Sequence, residues 1–302
     1  MSLIIAIPTN NNGTFTETPT RSQNAAYCQY VKAAGFTPIL VSMEADASVI
    51  ADMADGLLLA GGIDIDPIYY GYSNQASVNV DPAKDAAERA LLYAFIARNK
   101  RVFGICRGMQ LIFREFINEL ANINSSAEAY FDYNENLGGH AQTSGLHVSR
   151  HVPSHYVSAN MGQLLSADKS PPPEKLAVNS MHHQVCVFYH GKLAANTMKL
   201  KNGVEAPKSI DMREPSITSV KTDIGMFSTL AWSLRGVDMP KEVNKHSSYW
   251  SIIEAFSLIS LNGTEMLAVQ WHPEHLQSID MLRNFFLKKS KSKPQKELVA
   301  TS

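Results

Sequence analysis

The sequence predicts an α/β protein: a three-layer αβα sandwich on a doubly wound, mostly parallel sheet, with an inserted excursion late in the chain. Three observations carry this. Short apolar runs of strand length alternate with stretches of helical periodicity over the first 120 residues. The strand at 101–105 passes through Gly104-Ile-Cys106-Arg-Gly108 into an amphipathic helix. Near the other end, an apolar strand runs into Trp271-His272-Pro273-Glu274.

Residues 3–7 read as a short buried strand ended by Pro8, and the Asn- and Thr-rich stretch to residue 20 as a loop. From 22 to 34, Ala26, Tyr27, Tyr30, Val31 and Ala34 recur at helical spacing, with Gly35 as the stop. A strand follows at 36–41. Strand, helix, strand in about forty residues is the βαβ unit, which requires a parallel sheet. The pattern repeats with a strand at 55–60 running into Gly61-Gly62, a helix at 85–97, the strand at 101–105 and a helix at 109–120. In the last, Met109, Ile112, Phe113, Phe116, Ile117 and Leu120 form one wide apolar face.

The middle is less regular. β-prone pieces at 147–157 and 175–178 sit among Ser, Gly and the run Pro171-Pro-Pro173, which reads as a surface crossing. Residues 201–250 fit no period and are expected to be an inserted excursion. A hairpin follows, 252–261 and 266–271 about Asn262-Gly263, and then a closing helix at 279–287. Residues 1–288 are expected to form one domain, because the candidate catalytic residues 106 and 272 must meet in one site. Residues 289–302 read as a basic, solvated tail.

Composition narrows the function. With 27 Lys+Arg against 28 Asp+Glu the formal charge is -1, so bulk electrostatics give no reason to expect a nucleic-acid or membrane-surface partner. The first residues lack the basic flank of a signal peptide, and no run approaches the roughly 18 apolar residues of a membrane span. Three cysteines, Cys28, Cys106 and Cys186, are too few for a disulfide framework or a paired-cysteine zinc site. A reduced, cytoplasmic setting is expected, with a small molecule as partner.

Gly-x-Cys-x-Gly between a strand and a helix is the nucleophile-elbow arrangement with Cys in place of Ser. Gly104 and Gly108 stand where side chains would collide, and the helix amino terminus favours thiolate at Cys106. A thiol nucleophile needs a base. His272 ends the last apolar strand, and in extended chain Glu274 falls on the same side, where it would orient the imidazole. Backbone N–H groups at Gly62 and Arg107 are candidates for an oxyanion hole. His147, His151 and His155 are spaced by four, but their Val- and Pro-rich surroundings argue against a helical metal site, as with His140. No metal and no cofactor is expected.

These residues resemble the class I glutamine amidotransferase-like superfamily with its flavodoxin-like fold, and within it the γ-glutamyl hydrolases of peptidase C26. The resemblance rests on Gly61-Gly-Ile-Asp-Ile-Asp-Pro67 with Tyr70-Gly71, Gly104-Ile-Cys-Arg-Gly-Met-Gln110, Val178-Asn-Ser-Met-His-His-Gln184 and Gln270-Trp-His-Pro-Glu274. It implies a Cys106-His272-Glu274 triad and a γ-glutamyl thioester on Cys106. It also implies a small γ-glutamyl amide as substrate, and places Gln110, His182 and His183 on the substrate side. A homodimer is compatible with it. Lys84-Asp85 departs from the Arg-Asp pair usual there. Two other readings stand beside hydrolysis: a glutaminase subunit that passes ammonia to a synthetase, and an interaction protein that uses residues 201–250 as a surface.

Overall fold

The computed structural model describes residues 2–11, 20–70, 77, 79–122, 127–133, 155–157, 175–176, 178–179, 182, 184–190, 197–199, 205–207, 219–222, 225–234, 251–276 and 278–288. Its centre is a twelve-stranded sheet. The strands are β1 (Ile4–Pro8), β2 (Thr37–Val41), β3 (Gly56–Leu59), β4 (Arg101–Ile105), β5 (Ala127–Tyr133) and β6 (His155–Val157). They continue with β7 (Lys175–Leu176), β8 (Gln184–His190), β9 (Ser219–Thr222), β10 (Gly225–Leu234), β11 (Ser251–Ser260) and β12 (Glu265–Val269). The helices are α1 (Ala25–Ala33), α2 (Ala47–Met53), α3 (Pro82–Ala97), α4 (Arg107–Asn122), α5 (Pro273–Leu276) and α6 (Ile279–Leu287).

Along the sheet the order is β2-β1-β3-β4-β12-β11-β10-β6-β7. The first five strands are parallel; from β12 onward the pairings are antiparallel. β8 lies beside β11 with β5 outside it, and β9 pairs with β10. The chain moves from β1 outward to β2 and then returns to the other side of β1 as β3. That reversal opens a crevice at the carboxyl ends of the parallel strands, the usual ligand position in open α/β sheets.

Period-2 alternation explains the layers. Ala6, Leu57, Leu59, Val102, Met266 and Ala268 face one core, which α2, α3 and α4 cover with Ala51, Leu91, Leu92, Phe95, Met109, Ile112 and Phe113. Ile5, Ile7, Leu58, Phe103, Leu267 and Val269 face the other, closed by Tyr27, Tyr30 and Val31 of α1 and Met281, Leu282, Phe285 and Phe286 of α6. The expected α/β sandwich is present, and the expected hairpin turns at Gly263, whose φ of +92° suits glycine.

Three local features differ from the sequence reading. α3 begins at Pro82, three residues before its apolar stripe starts, because Asp81 caps the amides of Ala83 and Lys84 and proline suits the first helical position. α2 was not expected; its seven residues bury one side chain, Ala51, too little to register as a periodic stripe. The excursion expected over 201–250 contains two strands of the main sheet, β9 and β10. A register shift in β10 between Thr229 and Trp232 puts Leu230 and Ala231 both inside, which breaks the alternation a strand would show. The tail, His140, His147, His151 and His183 lie outside the described residues, as does most of the Pro171–Pro173 region.

The crossing of β3 and α4 is close enough to be tested. A Cβ at Gly108 would sit 2.7 Å from the carbonyl carbon of Leu59 and closer still to its oxygen, with no side chain able to yield. Gly108→Ala is expected to destabilise by about 3 kcal/mol or more, read by urea denaturation; a loss under about 1 kcal/mol would mean that the helix sits farther from β3.

Candidate active site

Cys106 follows β4 directly and stands at φ +51°, in the left-handed region that costs a residue with a side chain about 1–2 kcal/mol. Both sides of this elbow are held. The Cys106 amide donates to the Val269 carbonyl at 2.8 Å, extending the β4–β12 pairing, and the Gln110 amide donates to the Cys106 carbonyl at 3.1 Å as α4 begins. A Cβ at Gly104 would come within 2.8 Å of the Gly108 backbone, so both glycines are required by contact.

His272 arrives from β12. Its backbone is clamped by Asn179, which accepts the His272 amide at 2.9 Å and donates Nδ2 to the His272 carbonyl at 3.2 Å. On the ring, Nδ1 lies 2.7 Å from Oε1 of Glu274. This contact was expected from extended chain, but Pro273 instead starts α5 and delivers Glu274 on the first helical turn. Cys106 lies close enough to the imidazole to act on its protonation. Burial alone would lower the His272 pKa; Cys106, joined by Glu274, outweighs it and pushes the group up to about 10. An imidazolium raised in this way contributes stability in full below pH 6.5, and that contribution is lost as pH rises through about 10.

Gly61 fits between these two groups. A Cβ there would lie 2.9 Å from Cε1 of His272 and 3.4 Å from Cβ of Cys106. Its amide donates to the hydroxyl of Tyr27 at 3.0 Å. The same hydroxyl approaches Glu274, whose Oε2 is buried and closes no hydrogen bond of ordinary geometry. Burial, with the charges of Glu274 and Cys106 nearby, pushes the Tyr27 hydroxyl pKa well up, so it stays protonated. Sequence reading gave Tyr27 only a place in the helix stripe.

Gly62 lies in the loop after β3, exposed, and Arg107 is the residue after Cys106. The Arg107 guanidinium is buried in ion pairs with Asp85 and Glu88 of α3, and Glu88 also pairs with Lys84. Lys84, Asp85, Glu88 and Arg107 thus form a buried set of two positive and two negative groups beneath the loop. Burial lowers the Lys84 pKa against the pull of Glu88; Glu88 is held low because Arg107 and Lys84 overcome its own burial. The spacing of four between Lys84 and Glu88 is legible in the sequence, but the burial of the set and its pairing with Arg107 emerge only in three dimensions.

The expected substrate-side residues are also inside. Gln110 is buried and donates Nε2 to Oε1 of Gln270 at 3.3 Å. His182, equally buried, has Nε2 3.9 Å from Oε2 of Glu254 on β11.

The model of the peptidase C26 family matches residues 3–220, from β1 into the first half of β9. The chain belongs to the peptidase C26 family. Among curated relatives, protein NtpR of Enterococcus hirae is 29% identical over 242 residues, covering 74% of this chain and 92% of that protein. A Lactococcus lactis protein named as glutamine amidotransferase-like, YvdE, is 28% identical over 156 residues, covering 50% of this chain and 59% of its own length. The γ-glutamyl-γ-aminobutyrate hydrolase PuuD of Escherichia coli K12 is 29% identical over 198 residues, covering 64% of this chain and 74% of that protein. This chain therefore spans under two thirds of YvdE and of its cremoris homologue, 59% and 64% respectively. The class I glutamine amidotransferase-like resemblance read from the motifs is borne out. For this peptidase C26 member, His272 and Glu274 fall beyond the matched residues, so their meeting with Cys106 is information from the fold.

The Asn179 clamp generates a prediction. Asn179→Ala leaves a buried amide and carbonyl of His272 without these partners and is expected to cost about 1–3 kcal/mol, measured by urea denaturation. An unchanged midpoint would show that other groups replace the clamp.

Proposed function

We propose that this peptidase C26 protein is a cysteine-dependent hydrolase that cleaves a γ-glutamyl amide through a γ-glutamyl thioester on Cys106. The observation that carries the reading is the buried array of Cys106, His272 and Glu274 at the carboxyl ends of β4 and β12, with His272 hydrogen-bonded to Glu274 and under the electrostatic influence of Cys106. The name of the Escherichia coli relative supports the substrate class.

In this reading the imidazolium of His272 holds Cys106 as thiolate, and Glu274 holds the ring with Nε2 toward the sulfur. The thiolate attacks the amide carbon. Negative charge gathers on the amide oxygen, where the backbone amides at Gly62 and Arg107 are the proposed donors. His272 then gives its proton to the departing nitrogen, the amine leaves and the thioester remains. Water, deprotonated by His272, attacks the thioester; glutamate leaves and the thiolate returns. Asn179 and Tyr27 act as positioning residues, the first on the His272 backbone and the second on Gly61 and Glu274. The Arg107 ion pairs fix the start of α4 from below. Gln110 and His182, with His183, are proposed to line the γ-glutamyl side.

Residues 1–288 are proposed as one catalytic domain acting on a small molecule. Among the described residues no helix is long and apolar enough to cross a membrane, and all three cysteines are free, which suits a thiol enzyme of a reducing compartment such as the cytoplasm. A second reading, a glutaminase domain delivering ammonia to a synthetase, is favoured by the amidotransferase-like names of the lactococcal relatives.

Intact-mass measurement after incubation with a panel of γ-glutamyl amides is expected to show a glutamyl adduct on the wild-type chain, and none on Cys106→Ala. An adduct that survives the substitution would exclude Cys106 as nucleophile; turnover of glutamine alone, rising with an added synthetase, would favour the second reading. NMR titration offers an independent check. With Cys106 replaced by Ala, the His272 imidazole is expected to titrate below its value of about 10, because the thiolate that helps hold its proton is gone. An unchanged titration would assign the shift to Glu274 alone.

A further inference from the structure

We propose that His272, Glu274 and His275 form a site for a divalent cation of zinc's kind, and that filling it silences the triad. The three residues each offer one ligand atom, and those atoms lie within 4.8 Å of one another. Oε1 of Glu274 is the pivot, 2.7 Å from Nδ1 of His272 and 3.8 Å from Nε2 of His275. The two imidazole rings are neighbours, their centroids 5.8 Å apart and their planes tilted by 31°.

Two imidazole nitrogens and a carboxylate are the donor set that zinc takes in open, three-ligand sites. A second observation points the same way. Oε2 of Glu274 is buried and closes no hydrogen bond of ordinary geometry, even with the Tyr27 hydroxyl that approaches the carboxylate, so Glu274 retains acceptor capacity beyond its contact with His272. Bonds of about 2.0–2.2 Å place neighbouring ligand atoms roughly 3.3 Å apart in a tetrahedron. The His272–Glu274 contact must open by about half an ångström from 2.7 Å, and the His275 contact must close by about as much from 3.8 Å. His275 has room to do so, being 21% exposed and carried on the single turn of α5.

The exchange balances simply. The proton shared between Nδ1 of His272 and Oε1 of Glu274 passes to water as the ion takes its place. Glu274 then no longer orients the imidazole as a base, and a ring bound to a cation no longer cycles a proton between sulfur and leaving group. This effect on turnover rests on the hydrolase reading above; the existence of the site does not.

The test separates the two. In the full chain carrying Cys106→Ala, so that no thiol contributes, calorimetric titration with zinc chloride is expected to show one ion per chain. Cobalt(II) in the same protein is expected to give the visible bands of tetrahedral coordination. Adding His275→Gln should weaken zinc binding by at least about tenfold to a hundredfold, the loss that even outer-sphere partners cause. With Cys106 present, zinc is expected to inhibit γ-glutamyl amide hydrolysis, and His275→Gln to relieve that inhibition relative to its own metal-free rate. Zinc binding unchanged by His275→Gln, or lost in Cys106→Ala alone, would overturn the site, as would cobalt bound without tetrahedral bands. Since binding is read without turnover, failure of the hydrolase reading leaves this outcome decidable.

Discussion

The structure turns on the two glycines that flank Cys106, Gly104 and Gly108. β4 ends, the chain reverses in one residue at positive φ, and α4 departs across the face of β3 at a separation that only glycine tolerates. Everything else in the site is located by that crossing. It puts the sulfur at the mouth of the crevice where β1 and β3 diverge, and it brings the Arg107 side chain down onto α3. The strain at Cys106 is offset by the hydrogen bond that its amide donates to the Val269 carbonyl and by the packing of α4, so β12 and the elbow support each other.

A second constraint is distance along the chain. Cys106 and His272 are 166 positions apart, and Asn179 is 93 positions from the histidine it clamps. The parallel pairing of β4 with β12 removes the first separation, placing Val269 beside Ile105 in register. The clamp removes the second, tying Asn179 to the backbone of the proposed base. The site is thus a product of the sheet's order rather than of any one motif.

Much of this was legible beforehand. The strand at 101–105 and the helix at 279–287 carry strong local signals, and Gly104, Cys106 and Gly108 announce their geometry because the steric demands of an elbow are met within five successive positions. Pairs such as His272 and Glu274 are legible for the same reason: they lie two positions apart. What stayed hidden acts across space. Tyr27 has the spacing of an ordinary core residue, and only the fold shows its hydroxyl beneath Gly61. β10 carries a register shift that erases its alternation, so a strand in the middle of the sheet reads as aperiodic. The four buried charges of α3 and α4 look, in one dimension, like a solvated helix face.

Those four charges have a consequence for how the sequence is able to drift. Lys84, Asp85, Glu88 and Arg107 cancel in a space that water does not reach, and removing any one leaves a net charge buried, typically at a cost of about 3–5 kcal/mol. Substitution at these positions is therefore tied: an acid is lost together with a base, or a base is exchanged for another of the same sign. The loop at Gly62 and the start of α4 rest on a group of residues that changes jointly, so the neighbourhood of the proposed oxyanion hole is free to vary in chemistry only along paths that keep its charge at zero.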